Sequence, residues 1–270
     1  MRLVPNDQLA SVTDYRGAVP DAAFDLTGRR AVVTGASTGI GAAIAVRLAD
    51  AGADVVAVSR SGRVPEAEGS IRPLVADLSD PDGVDALIPA AVAELGGLDI
   101  LVNNAGRADW LPLSDLDREH FDGLIGLNLW APLRLCQLAH RHLAAGGDSA
   151  VVMVGSVDAV RPSAAGAVYG ASKAGLGAVT VALAKEWQAD GIRVTQVDPG
   201  IVDTPMAAAI IRGLSEAGAS VNIADRAGKP DEIAALVHYL VAPAGRFANG
   251  ASFRLDGGAL ALGPFDVIER

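Results

Sequence analysis

Thr34-Gly35-Ala36-Ser37-Thr38-Gly39-Ile40-Gly41 is the stretch on which the fold turns. It follows a short β-branched run, Ala31–Thr34, and leads into Ala42–Ala51, which has helical character. Each glycine there has a physical use. Gly35 permits a sharp turn, Gly39 removes a side chain where backbone must approach a phosphate, and Gly41 lets the helix pack closely. The helix N-terminus then offers free N–H groups and a partial positive charge to a pyrophosphate. Glycines also mark ordinary tight turns. The position directly after the first strand is what favours the phosphate reading.

Working outward, strands and helices alternate. Further strands are expected at Asp54–Val58, Ile71–Ala76, Asp99–Val102, Ala150–Val154, Ile192–Val197 and Ser252–Leu255. Helices are expected at Val84–Leu95, Leu116–Leu143, Val168–Ala189 and Pro230–Val241, the last with Pro at its start. This alternation predicts an α/β, Rossmann-like doubly wound fold: a mostly parallel seven-stranded sheet with helices on both faces. The nearly all-apolar strands agree, because both sheet faces would be covered. The segment Arg60–Arg72 is too short and too rich in Gly and Pro for a crossover helix, so a loop or a single helical turn is expected. Residues 1–25 read as an N-terminal extension and 26–270 as one domain.

With 50% hydrophobic residues in a chain of 270, a large core is expected and disorder is not. A net charge of −10 disfavours nucleic acid and anionic membrane as partners. The single Cys136 cannot make an internal disulfide and fits a reducing compartment. Met1–Pro20 lacks the apolar stretch of a signal peptide, and no run reads as long enough to span a membrane, so a cytoplasmic protein is expected. His120, His140, His142 and His238 form no metal-ligand grouping with acids or Cys, so no metal is expected.

The turn is spaced G-x-x-x-G-x-G, and with Thr34 before it the sequence resembles the short-chain dehydrogenase/reductase family, in its single-domain branch of about 250 residues. Further motifs follow in that family's order: Ala76-Asp77-Leu78 after the third strand, Asn103-Asn104-Ala105-Gly106 closing the fourth, Pro199-Gly200 after the sixth, and Asp256-Gly257-Gly258 near the end. The resemblance covers about Phe24 to Gly258. It implies an NAD(P)-binding catalytic domain in which Gly35, Ser37, Thr38, Gly39, Ile40 and Gly41 hold the pyrophosphate side. It also implies adenine contacts at Asp77 and Leu78, and further cofactor contacts at Asn104, Ala105, Gly106, Pro199, Gly200, Val202 and Thr204. A substrate lid is implied near 205–225, and a substrate loop that begins near Trp110.

Ser156, Tyr169 and Lys173 are the expected catalytic residues, and Tyr169 and Lys173 also as cofactor contacts. Tyr169 and Lys173 lie four apart in a helix and share one face. A cation about 4 Å from a phenol is worth roughly 4 kcal/mol at an effective dielectric of 20, enough to draw the phenol toward useful acid/base range. Ser156 ends a strand upstream. The resemblance adds Asn128, in Gly-Leu-Asn-Leu-Trp, as a proton relay through water. Asp158, two past Ser156, either faces the substrate or solvates a turn.

Cofactor choice is set after the second strand, where an acid would accept from the ribose 2′-OH. Here stand Ser59 and Arg60; Arg60 can pair a 2′-phosphate in a fork, with Arg63 nearby. NADP(H) is therefore expected ahead of NAD(H), although Thr38 sits where many NADP-preferring relatives carry a basic residue. The expected substrate is a small-molecule carbonyl or alcohol, fairly apolar because 205–225 is rich in Ala, Ile and Leu. Two alternatives stand beside it. One is a 3-oxoacyl-(acyl carrier protein) reductase, weakened because the two carrier-docking arginines of that group fall here on Gly147 and Asp190. The other is a non-enzymatic nucleotide-binding regulator. The family's pairing of its two long helices across a twofold axis implies a homotetramer or homodimer.

Overall fold

The structure, a computed structural model, describes residues 21–220 and 222–262. The expected N-terminal extension lies outside these up to residue 20. Seven strands form one sheet: β1 (Arg30–Thr34), β2 (Asp54–Ser59), β3 (Ile71–Val75), β4 (Ile100–Asn103), β5 (Ser149–Val154), β6 (Ile192–Pro199) and β7 (Ser252–Leu255). Their spatial order is β3-β2-β1-β4-β5-β6-β7, and all six pairings are parallel. The doubly wound α/β architecture expected from the sequence is the one observed.

Period-2 alternation sends the strand side chains to two separate cores. Val33, Val55 and Val152 pack with Ile44 and Leu48 of α1 (Gly39–Asp50) and with Ile233 and Val237 of the helix Pro230–Val241. Val32, Val56 and Val151 face the other way, onto Leu87 of α2 (Pro81–Leu95) and onto Leu135 and Leu176 of two helices described next. Both faces are thus covered, which is why these strands read as continuous apolar runs.

Two expectations on helices are refined. Leu116–Leu143 is mostly helical, as expected, but not uniformly α: α3 (Arg118–Ile125) leads into a π-helical turn, Gly126–Trp130, before α4 (Ala131–Gly146). The wide turn carries Asn128, fully buried, and such turns are frequent at functional sites. One helix is also long and apolar enough to match a membrane span by length and composition, α5 (Ala167–Glu186). It buries Lys173 and Leu176 against the sheet, so it is a core helix of this fold. The segment from Arg60 to Ser70 is a loop without a helix, tied down where Asp50 Oδ1 accepts from the backbone N–H groups of Glu68 and Gly69 at 2.8 and 3.2 Å. Beyond β6 come α6 (Ala208–Glu216) and α7 (Pro230–Val241).

The strand order reverses between β1 and β4. In open parallel sheets a crevice forms at that switch point, outside the carboxyl ends of the strands, and ligands bind there.

Candidate active site

The loop motifs singled out in the sequence follow the carboxyl ends of the strands, while Asn128, Tyr169 and Lys173 stand on helices beside them. A groove of about 360 Å³ is lined by the turn after β1 (Gly35–Gly41), by Ser59 and Arg60 after β2, Asp77 and Leu78 after β3, and Asn104–Gly106 after β4. Gly35 and Gly39 have φ of +67° and +58°, which only glycine adopts without strain. Thr38 enters α1 in extended conformation without a side-chain cap, so the first N–H groups of the helix have no side-chain partner. A Cβ at Gly41 would stand 2.3 Å from both the Gly35 carbonyl oxygen and Asn104 Nδ2. Gly41 therefore serves the folding of the turn back on itself. Uncapped amides in a groove that no Cβ narrows fit the pyrophosphate of a dinucleotide.

Asn104 turns out to build the turn as well as face the groove. Its Nδ2 donates to the carbonyls of Thr34 and Gly35 at 2.9 and 3.2 Å, while Thr34 Oγ1 accepts from the N–H groups of Asn104 and Ala105, both at 3.0 Å. Thr204 lies across the turn, its methyl 3.0 Å from where a Gly39 Cβ would stand. Asp77 Oδ1 accepts from the Ser79 N–H and hydroxyl at 2.9 and 2.7 Å. Those two bonds, with Arg60 acting from further off, hold its carboxyl below the usual range despite some burial.

A second cavity, about 170 Å³, adjoins the groove and shares Ile40, Asn104, Gly106, Arg107, Thr204 and Met206 with it. Its inner wall brings together Ser156, Tyr169 and Lys173, with Pro199, Gly200 and Val202 beside them. Lys173 is buried and donates from Nζ to the Val154 carbonyl at 2.9 Å. Burial draws it down to about 8, against an opposing pull from Asp198. The Tyr169 phenol stands above its ordinary value: burial raises it, a hydrogen bond with Ser156 lowers it, and Asp158 raises it. This corrects the expectation of a phenol drawn down by the lysine. Nζ lies 5.8 Å from the ring centroid, and burial is the largest influence on the phenol.

Asn128 sits just behind. Its Oδ1 accepts from Arg107 N at 3.0 Å; its Nδ2 donates to the Arg107 carbonyl at 2.8 Å and to Ser172 Oγ at 3.3 Å. It thereby ties the β4 turn to α5. Gly106 lies between Asn128 and Lys173, where a Cβ would come within 3.1 Å of Asn128 Oδ1 and 3.5 Å of Lys173 Nζ.

Of the two substrate candidates, Trp110 lines the cavity with its ring 6.4 Å from that of Tyr169. Asp158 also borders it, but its Oδ1 is spent on Ser163 N and Oγ at 2.9 and 2.8 Å. The remaining wall includes Val157, Ile201, Met206, Ala207 and Ile210. Sequence reading missed Arg107, which borders both cavities with its guanidinium on Asp109 at 3.0 Å. It also missed Asp198, although an acid inside a buried apolar strand is a visible signal.

The family model for short chain dehydrogenases matches residues 29–215. The chain is 36% identical over 242 residues to the cis-4-hydroxycyclohexanecarboxylate dehydrogenase of Sinomonas cyclohexanicum, covering 87% of this chain and 97% of that one. It is 33% identical over 240 residues to the 3-oxoacyl-[acyl-carrier-protein] reductase of Vibrio cholerae serotype O1, covering 87% and 98%. A short chain dehydrogenase of Burkholderia cenocepacia J2315, solved in complex with NADP, superposes with a TM-score of 0.76 at 38% identity, over 87% of this chain and 99% of that one. The chain belongs to the short-chain dehydrogenase family and is an oxidoreductase.

Proposed function

We propose that this protein moves hydride between a nicotinamide cofactor, NADP(H) ahead of NAD(H), and the carbonyl or secondary alcohol carbon of a small, fairly apolar molecule. The observation that carries this reading is the meeting of Ser156, Tyr169 and Lys173 on the wall of an apolar cavity that opens into the glycine-turn groove. The turn Gly35–Gly41 would hold the pyrophosphate, Ser59 and Arg60 the 2′-phosphate, and Lys173 the nicotinamide-side ribose. When bound, the nicotinamide supplies or accepts the hydride. Ser156 hydrogen-bonds the substrate oxygen and stabilises its developing negative charge. Tyr169 gives that oxygen a proton in reduction and takes it back in oxidation. A buried phenol that keeps its proton at neutral pH suits the acid role. Lys173 supplies positive charge beside the phenol, and Asn128 fixes the turn against α5 and serves the proton path.

The segment 205–225 acts as lid, and its Met206 and Ile210 line the same cavity as Trp110. A cavity of about 170 Å³ with Asp158 and Arg107 occupied elsewhere favours a small substrate without a net charge. Carrier docking is disfavoured: Gly147 has no side chain, and Asp190 Oδ2 accepts from His140 Nε2 at 2.9 Å. A cytoplasmic setting fits the buried free thiol of Cys136, pushed up to about 12 by burial. A panel of small ketones and secondary alcohols, run with both cofactors in both directions, tests the reading. Turnover with higher kcat/KM for NADP(H) is expected. Cofactor binding without turnover across the panel would favour a regulator, and turnover of carrier-bound 3-oxoacyl chains alone would favour the carrier reductase.

A further inference from the structure

Strand β6 is buried along its whole length, yet it carries an acid. Asp198 is 6% exposed and Gln196, two residues earlier on the same strand face, is 1% exposed. Gln196 Nε2 donates to Asp198 Oδ1 at 2.7 Å. Burial raises this carboxyl above its ordinary value, while Gln196, the Ser156 backbone N–H, Lys173 and the Ser252 hydroxyl pull it back down. A Cβ at Gly155 would stand 2.0 Å from Asp198 Oδ1 and 2.6 Å from Gln196 Nε2, so glycine is required where the acid presses on the end of β5. Lys173 reaches the same bend from the other side, through its bond to the Val154 carbonyl. Residues 154–156 are thus held between a buried ammonium and a buried carboxyl group, and Ser156 is the last of them.

We propose that Asp198 is the buried counter-charge of Lys173 and the clamp on the backbone that presents Ser156, a positioning residue for the reaction read above. Gln196 Nε2 donates to its carboxyl group, and the Ser156 N–H, the Ser252 hydroxyl and Lys173 also favour the carboxylate, which only accepts, against the burial that raises it. Burial draws Lys173 down to about 8, and the charge of Asp198 opposes that shift. The other groups that face this region are few. Tyr169 lies one turn before Lys173 on α5, Asp158 acts on Tyr169 from the loop after β5, and Arg107, beyond the β4 turn, is paired with Asp109. Among the described residues, Asp198 is the anion whose charge acts on Lys173, and both hold the same 154–156 backbone. The inference rests on the oxidoreductase reading only for its consequence in turnover.

The test uses the full chain with ¹³Cε-labelled lysine, which gives three resonances, from Lys173, Lys185 and Lys229. In Asp198→Asn the Lys173 titration should move down by about one pH unit or more, as for a lost charge partner. Turnover should fall at neutral pH and recover in part as pH is lowered, because the whole rate profile shifts acidward. Asp198→Ser keeps an acceptor for the Ser156 N–H without the charge, and serves if the amide variant does not fold. An unmoved Lys173 titration in a variant with wild-type melting and cofactor affinity would overturn the proposal. So would a rate loss that is the same at every pH. The titration needs no substrate, so a chain inert on every carbonyl and alcohol would sink the proposed hydride transfer to a small carbonyl and leave this result standing.

Discussion

Removing one oxygen atom from Tyr169 isolates its proposed role. Tyr169→Phe keeps the ring beside Trp110 and should fold and bind cofactor, yet turnover should drop by on the order of a hundredfold or more. Near wild-type kcat would remove Tyr169 from the mechanism. The charge state around it sets the pH dependence. Lys173 is protonated below about 8 and neutral above it, because burial lowers its value. The rate of reduction should therefore fall as pH rises through about 8, while oxidation, which needs the Tyr169 phenolate as base, should rise only at higher pH, toward the raised titration of that phenol. Arg60 tests cofactor choice in the same way. It stands at the groove beside Ser59, is exposed, and acts on Asp77. Arg60→Ala should raise KM for NADPH and leave that for NADH nearly unchanged; an unaltered NADPH/NADH ratio would show that the 2′-phosphate is held elsewhere. At this scale the sequence was legible where a motif has fixed spacing, as with Tyr169 and Lys173 on one helical face. It left two readings of Asp158 open, because only the fold brings Ser163 to its carboxylate.

Elements follow from periodicity, and their breaks do not. Strand positions were readable because buried parallel strands are apolar throughout, and the β2–β3 loop because its Gly and Pro forbid a helix. The π turn at Gly126–Trp130 left no mark, since it adds one residue to a helical turn without changing which residues are apolar. What it accomplishes, turning Asn128 onto the Arg107 backbone, depends on the distant β4 turn. The bases of β1 and β4 are joined by another contact between distant segments. Asp99 accepts from Arg30 N, Nε and Nη2 at 2.9, 2.8 and 2.9 Å. Asp99→Ala should cost about 2 kcal/mol, less than a fully buried pair would, because a partly exposed Arg30 can turn to water. A urea midpoint lowered with an unchanged slope would agree; an unmoved midpoint would show that the clasp contributes nothing net.

At the scale of the whole molecule, sheet order decides where chemistry happens. Because β1 and β4 are neighbours while β2 and β5 run to opposite sides, residues from 35 to 204 meet in one crevice. The same wrapping leaves apolar side chains outside. Trp130 is 54% exposed on the π turn, and Val181 on α5 and Phe121 on α3 are also exposed. Large exposed apolar groups on one side of a fold mark an association surface more often than a solvent face. We therefore expect a homotetramer, or at least a homodimer, through the α4–α5 side, in which a twofold axis would set each patch against its own copy. Light scattering at micromolar concentration should give a mass of two or four chains. Trp130→Asp, which places a charge in that contact, should shift the distribution toward smaller species without lowering the yield of folded chain. A monomer mass for the unaltered protein would mean that Trp130 and its neighbours face water, and that the site needs no second subunit to hold its shape.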